Sequence, residues 1–197
     1  DRQTKEIVTL GNAECDFTYR TSIFNSSMRD RYIVLNVTFA LEKDGRPKIT
    51  YKDLIEQFGD REPTLADVRD AVLQIRRSKS MVIDPDDPNS RSAGSFFKNP
   101  IISRERLAKL QSKYERMPFF EFGESVKVPA AWLIENAGFQ KGFALGYAGI
   151  SSNHTLAVLN RGGASAAAIL MLKPEIQEAV EAKFGISLKT DPVFVGF

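Results

Sequence analysis

Tyr32 to Leu41 alternates without a break. Ile33, Leu35, Val37, Phe39 and Leu41 fall on one face of an extended chain, and Val34, Asn36, Thr38 and Ala40 on the other. That is the period-two pattern of a β-strand, with one face wholly apolar and the other half so. Around it the chain mixes strand and helix signals. Glu6 to Leu10 reads as a short strand closed by a Gly11-Asn12 turn, and Asp44-Gly45 marks the turn after the long strand. Pro63-Thr64 opens a helix, with Thr64 at the cap, Asp67 three residues on, and an apolar stripe of Leu65, Val68, Val72 and Ile75. Ser103 caps a second helix carrying Leu107 and Leu110. A third runs within Val126 to Gly138, with Pro129 in its first turn and Gly138 past its end. The last carries Ile169, Leu172, Ile176 and Val180, with a kink or break expected at Pro174. Gly142 to Ile150, His154 to Asn160 and Ile186 to Phe197 read as strands. The expected fold is α+β: a mixed, mainly antiparallel sheet with helices on one side.

At 197 residues the chain suffices for one ordinary domain or two small ones, and 43% hydrophobic content supports a core. A net charge of +2 leaves no nucleic-acid footprint. Cys15 is the only cysteine, which excludes an internal disulfide and suits a reducing cytoplasm. With His154 the only histidine, a soft-ligand metal site is not expected. No apolar run reaches bilayer length and Asp1-Arg-Gln-Thr-Lys is no signal peptide, so the expectation is a cytoplasmic protein with no membrane partner. Neither G-x-G-x-x-G nor a Walker pattern occurs.

The stretch least like generic globular sequence is Arg91 to Pro100. Gly94 admits a close backbone approach, Ser95 offers a hydroxyl, Phe96 and Phe97 alternate faces, and Lys98 and Asn99 end the run before Pro100 stops it. Two readings stand beside each other: an edge strand ending at a turn, and a strand lining a site for a polar, anionic ligand. The loop from Ile83 to Ser90 delivers the chain into it. The cations Arg76, Arg77 and Lys79 close the preceding helix at the negative end of its dipole.

Gly94-Ser-Phe-Phe-Lys-Asn-Pro100 resembles the signature of the UDP-N-acetylenolpyruvoylglucosamine reductases (UDP-N-acetylmuramate dehydrogenases, MurB). Phe17-Thr-Tyr-Arg-Thr-Ser-Ile-Phe-Asn25 is similar to the family's Phe-x-Tyr-Arg-Asp-Ser-x-Phe-Lys segment, with Thr21 and Asn25 in place of Asp and Lys. Pro129-Ala-Ala-Trp-Leu-Ile-Glu-Asn-Ala-Gly138 is a further match. The resemblance implies reduction of UDP-N-acetylglucosamine enolpyruvate to UDP-N-acetylmuramate in peptidoglycan precursor synthesis, with hydride from NADPH through FAD and a proton from Ser95. Arg20 would hold the substrate carboxylate. The family's glutamate near the C-terminus falls here on Asp191, one methylene shorter, and the arginine two places later becomes Val193.

The resemblance further implies substrate contacts from Tyr19, Tyr51, Lys79, Asn99 and His154, and a flavin contact from Val34. Tyr51 marks the longer-loop type, in which it closes over the substrate. Where the family can offer a tyrosine to the diphosphate, this chain has Phe119 or Phe120. Only about the C-terminal two-thirds of such an enzyme is matched, so the expected division is 1–85 as the tail of the FAD domain with the closing loop, and 86–197 as the substrate-binding domain. The last strand is expected to return toward the flavin site. The family's glycine-rich flavin loop lies upstream of every matched segment, so the chain alone is expected to be an inactive, monomeric fragment. A flavin-free module that binds UDP-sugars without turnover is the alternative. A serine hydrolase fits worse, since Ser95 lacks the G-x-S-x-G elbow and one histidine must serve as base.

Overall fold

Thr64 caps a helix where the pattern places one. Its Oγ1 accepts from the Asp67 backbone N–H at 3.2 Å, and Asp67 Oδ2 accepts from the Thr64 N–H at 2.8 Å. Two donors that α2 (Leu65–Ser78) would otherwise leave unpaired are thereby satisfied. Ser103 and Ser165 accept in the same way at the starts of α3 (Arg104–Gln111) and α5 (Ala166–Phe184). Helices α1 (Lys52–Phe58) and α4 (Ala130–Asn136) complete the set in this computed structural model, which describes residues 1–196.

The strands form two antiparallel sheets. Four belong to the first, in the order β1 (Ser92–Ser95), β7 (Ala157–Asn160), β6 (Ala148–Ile150), β5 (Ala144–Leu145). Three belong to the second, in the order β2 (Ile101–Ser103), β4 (Ser125–Lys127), β3 (Phe120–Phe122). The architecture is α+β with antiparallel pairing throughout, divided between two sheets where a single one was expected.

The chain divides into two compact units, Asp1–Arg46 and Pro47–Phe197. The division expected near Asp84 to Ser90 falls inside the second unit, which also holds α1 and α2. Its core joins Phe96, Phe97, Ile150 and Val158 of the first sheet and its continuation to Leu133 and Ile134 of α4 and to Leu172, Ile176, Val180 and Phe184 of α5. Those four α5 residues recur every fourth position and share one stripe. The helix continues without a break through Pro174, where a kink or break was expected. Proline removes one donor, the bond to the Leu170 carbonyl, and the buried stripe on both sides of it outweighs that loss.

Five expected strands differ. Gly142 to Ile150 turns back on itself as the β5–β6 hairpin, with Gly146 at φ +59° in the turn. His154 and Thr155 precede β7, which starts only at Ala157. The segment after Ile186 contributes a single bridge, Thr190 to Phe97, and Phe197 lies outside the described residues. Within the first unit neither Glu6 to Leu10 nor Tyr32 to Leu41 forms a strand. A strand needs a ladder partner for its backbone groups, and among the described residues the only β-bridge in this unit is Thr18–Thr21. The five alternating residues are exposed, from 64% for Val37 to 87% for Leu41. The unit is tied instead by its N-terminus: Asp1 pairs with Arg31 at 2.7 Å, and Arg2 N donates to the Arg31 carbonyl.

Candidate substrate site

β1 brings Ser95 to the edge of the first sheet. Ser92 sits opposite Leu159 and Ser95 opposite Ala157, so three steps on β1 span two on β7. That bulge turns the strand locally and re-aims the side chains after it. Gly94 within it has φ +79°, and nothing lies within 4 Å of where a Cβ would project. Ser95 is half-buried, and its hydroxyl has no hydrogen-bond partner among the described residues. Its proton is therefore available to a ligand.

Beyond β1 the chain pairs on its other side with the C-terminal segment. Lys98 N donates to the Lys189 carbonyl at 2.9 Å, and Asp191 N to the Phe96 carbonyl at 2.9 Å. This antiparallel register puts Asp191 opposite Phe96 and diagonal to Lys98, whose Nζ lies 3.5 Å from Asp191 Oδ1. Asp191 thus meets the Ser95 strand through its backbone. The Asn99 amide oxygen accepts from the Ala130 N–H at 2.9 Å, which caps α4. One half of this side chain is committed to the fold, and its Nδ2 faces no partner among the described residues.

A cationic cluster forms where α2 ends. Lys79 is the C-cap of α2, and the next residue, Ser80, takes φ +54° and is 4% exposed. Ser80 Oγ accepts from Asn153 Nδ2 at 2.8 Å, which ties the helix end to the β6–β7 turn. Asn89 ties the preceding loop to the same turn by accepting from the Ser152 N–H at 3.0 Å. His154 stands in that turn. Its Nδ1 accepts from the Leu156 N–H at 3.3 Å, which leaves Nε2 as the protonated nitrogen of the neutral ring. Burial depresses the His154 pKa below its ordinary 6.5, and Lys79 and Lys141 push the same way against the opposing pull of Glu135. Lys79 itself pairs with Asp53 of α1 at 2.5 Å. Lys79, Lys141 and the His154 Nε2–H together suit a multiply charged anion.

The depressed His154 pKa has a measurable consequence. As pH falls through 6.5 the unfolded chain takes up the proton before the folded one does, so stability declines below that point and is unaffected by His154 above it. In His154→Gln the melting temperature is expected to fall less steeply between pH ~7 and pH ~5.5, with the two proteins alike in slope above neutrality.

Tyr51 precedes α1 as its N-cap residue and is 70% exposed. In the first unit, Tyr19 and Arg20 are the central pair of the tight turn closed by the Thr18–Thr21 bridge, and Arg20 takes φ +56°. A non-glycine residue there is uncommon and costs backbone strain, a pattern that concentrates at functional sites. Asn25 Nδ2 donates to the Arg20 carbonyl at 3.0 Å and supports the turn. Val34 lies in the irregular segment and is exposed. Among the described residues no group of three or more His, Cys, Asp or Glu could hold a metal ion, and no helix is long and apolar enough to cross a membrane.

Lys98 was read from the sequence as part of the signature run but given no site role. Asp53, Lys141 and Glu135 were not singled out; they come near these residues only through tertiary placement.

The fold is an antiparallel α+β domain that carries Ser95 on a bulged strand and, where α2 ends, a group of cations around His154. The comparisons give the family. The model of the UDP-N-acetylenolpyruvoylglucosamine reductase C-terminal domain matches residues 86–195. Relatives named UDP-N-acetylenolpyruvoylglucosamine reductase include one from Thermobifida fusca at 48% identity, covering 100% of this chain and 58% of the relative. Another, from Streptomyces coelicolor, is 44% identical over 100% of this chain and 54% of its own length. A third, from Flavobacterium johnsoniae, is 40% identical over 96% of the chain and 56% of its own. The chain belongs to the UDP-N-acetylenolpyruvoylglucosamine reductase family, and it spans a little over half the length of these relatives.

Proposed function

We propose that this chain is the substrate-binding and proton-donating part of a reductase that converts UDP-N-acetylglucosamine enolpyruvate to UDP-N-acetylmuramate, with NADPH as the hydride source and FAD as the carrier. The observation that carries the reading is the unpartnered Ser95 hydroxyl on a bulged strand of the family-matched region. Reduction of an enolpyruvyl double bond places hydride on one carbon and a proton on its neighbour, where negative charge develops. A hydroxyl suits that proton transfer, because the carbanion is basic enough to take it without a lowered pKa. The Ser95 O–H bond breaks as the C–H bond forms. Arg20 would pair its planar fork with the substrate carboxylate, whose enolic form carries the developing charge. Lys79 and the His154 Nε2–H would hold the diphosphate, and Asn99 Nδ2 and the Tyr19 hydroxyl would add further contacts. Tyr51 would close over the ligand. Asp191, held beside Lys98, stands where the family's glutamate is expected.

Val34, the candidate flavin contact, lies exposed in a segment without regular structure. No step is assigned to a flavin on this chain. A second reading for the chain alone is a UDP-sugar-binding module without turnover. The two separate on one assay with a protein that carries the flavin-binding half as well. Consumption of one NADPH per enolpyruvyl ether is expected from a reductase. Ligand binding with no NADPH consumed would leave only the binding module.

A further inference from the structure

We infer that Asp53 is a built-in competitor for the nucleotide site: it holds Lys79 in the ligand-free chain and must give it up when a diphosphate binds. The inference rests on the reading of Lys79 as a nucleotide-sugar ligand and names what that residue does before the ligand arrives.

The two partners are fixed very differently. Lys79 is anchored from behind, because Ser80 is buried in a left-handed conformation and held by Asn153. Its side chain is 40% exposed and reaches 2.5 Å to Asp53 Oδ2. Asp53 rides on the first turn of α1, a seven-residue helix with Leu54 as its only buried residue and no side-chain cap at Tyr51. So short a helix has little stability of its own. Of the two, α1 is the side that can move.

Charge favours the exchange. Lys79 and Lys141 both act on His154, and Lys52 adds a third cation near Asp53. Asp53 and Glu135 face this group, and Asp87 accepts a hydrogen bond from the Ser80 hydroxyl next to Lys79. A diphosphate brings two or more negative charges to a cluster where Asp53 supplies one, so it outcompetes a single exposed carboxylate. Exposed ion pairs are weak enough to yield, and when this one parts it frees the turn that follows directly on Tyr51. Occupation of Lys79 and release of the Tyr51 segment are one event.

The test uses the 197-residue chain with UDP as titrant and inorganic pyrophosphate as the second arm, affinity being read by calorimetry. Asp53→Asn is expected to bind UDP about two- to five-fold more tightly than the unaltered chain, the range an exposed pair supports. Asp53→Glu should return the affinity toward the original value. Lys79→Met should weaken UDP binding and abolish the gain, so that the double variant matches Lys79→Met alone. A parallel gain for pyrophosphate assigns the competition to the diphosphate; a gain for UDP alone would overturn that assignment. If Asp53→Asn leaves UDP affinity unchanged while Lys79→Met weakens it, the competitor role is wrong and the site stands. If Lys79→Met binds UDP as well as the unaltered chain, Lys79 is no nucleotide ligand, and both fall.

Discussion

Ser95→Ala is expected to slow turnover of the enolpyruvyl ether by about 10²- to 10⁴-fold, the range a positioned general acid contributes. NADPH-driven flavin reduction in the same protein should be unchanged. The split follows from what the hydroxyl touches. It has no partner among the described residues, so its removal breaks no hydrogen bond there and leaves the bulged strand intact. The loss therefore falls on the proton transfer and not on folding. Ser95→Cys should recover part of the rate, because a thiol still offers a proton from nearly the same place. Full turnover in Ser95→Ala would assign the proton to solvent or to another residue.

Gly149→Ala is expected to cost about 3 kcal/mol or more of stability, as overpacking against immovable neighbours does, measured as a drop in the denaturant midpoint. Gly149 is central in β6, paired with Ala144 on one side and Leu159 on the other. A Cβ there would come within 2.6 Å of the Phe143 carbonyl oxygen and 2.9 Å of the Arg161 side chain. Arg161 can swing away, but the Phe143 carbonyl cannot, since it accepts the Ile150 N–H at 2.8 Å. The hairpin must open, and β6 carries the sheet that supports β7 and, through it, the Ser95 strand. A normal midpoint in Gly149→Ala would mean that the β5–β6 hairpin is looser than the geometry requires.

Helix starts were legible because capping is local. Thr64 with Asp67, and Ser103 ahead of Leu107, carry their meaning within four residues. Strands were read less well, for the opposite reason. The alternation from Ile33 to Leu41 is plain in the sequence, yet a period-two pattern describes only one half of a pairing. Among the described residues no segment of the first unit pairs with it. Gly142 to Ile150 misled in another way: its glycines suggested close strand packing, but Gly146 was the turn that folded the segment into a hairpin. At the site, Ser95, Lys79, Asn99, His154 and Asp191 could be named from matched motifs. Their tertiary partners could not. The Lys98–Asp191 diagonal depends on a pairing between residues more than ninety positions apart, and Asp53 reaches Lys79 across two helices. Neither leaves a periodic trace.

The account stands or falls on whether the ligand is held by Ser95, Asn99, Lys79 and His154. Amide and side-chain NMR shifts of the 197-residue chain, followed as UDP-N-acetylglucosamine enolpyruvate is added, read this most directly. The largest changes are expected along Gly94 to Asn99, at Lys79 and Ser80, and in the turn around His154. Changes confined to the open groove between α1 and α2, lined by Phe58, Arg61 and Gln74, with the Ser95 strand silent, would contradict it.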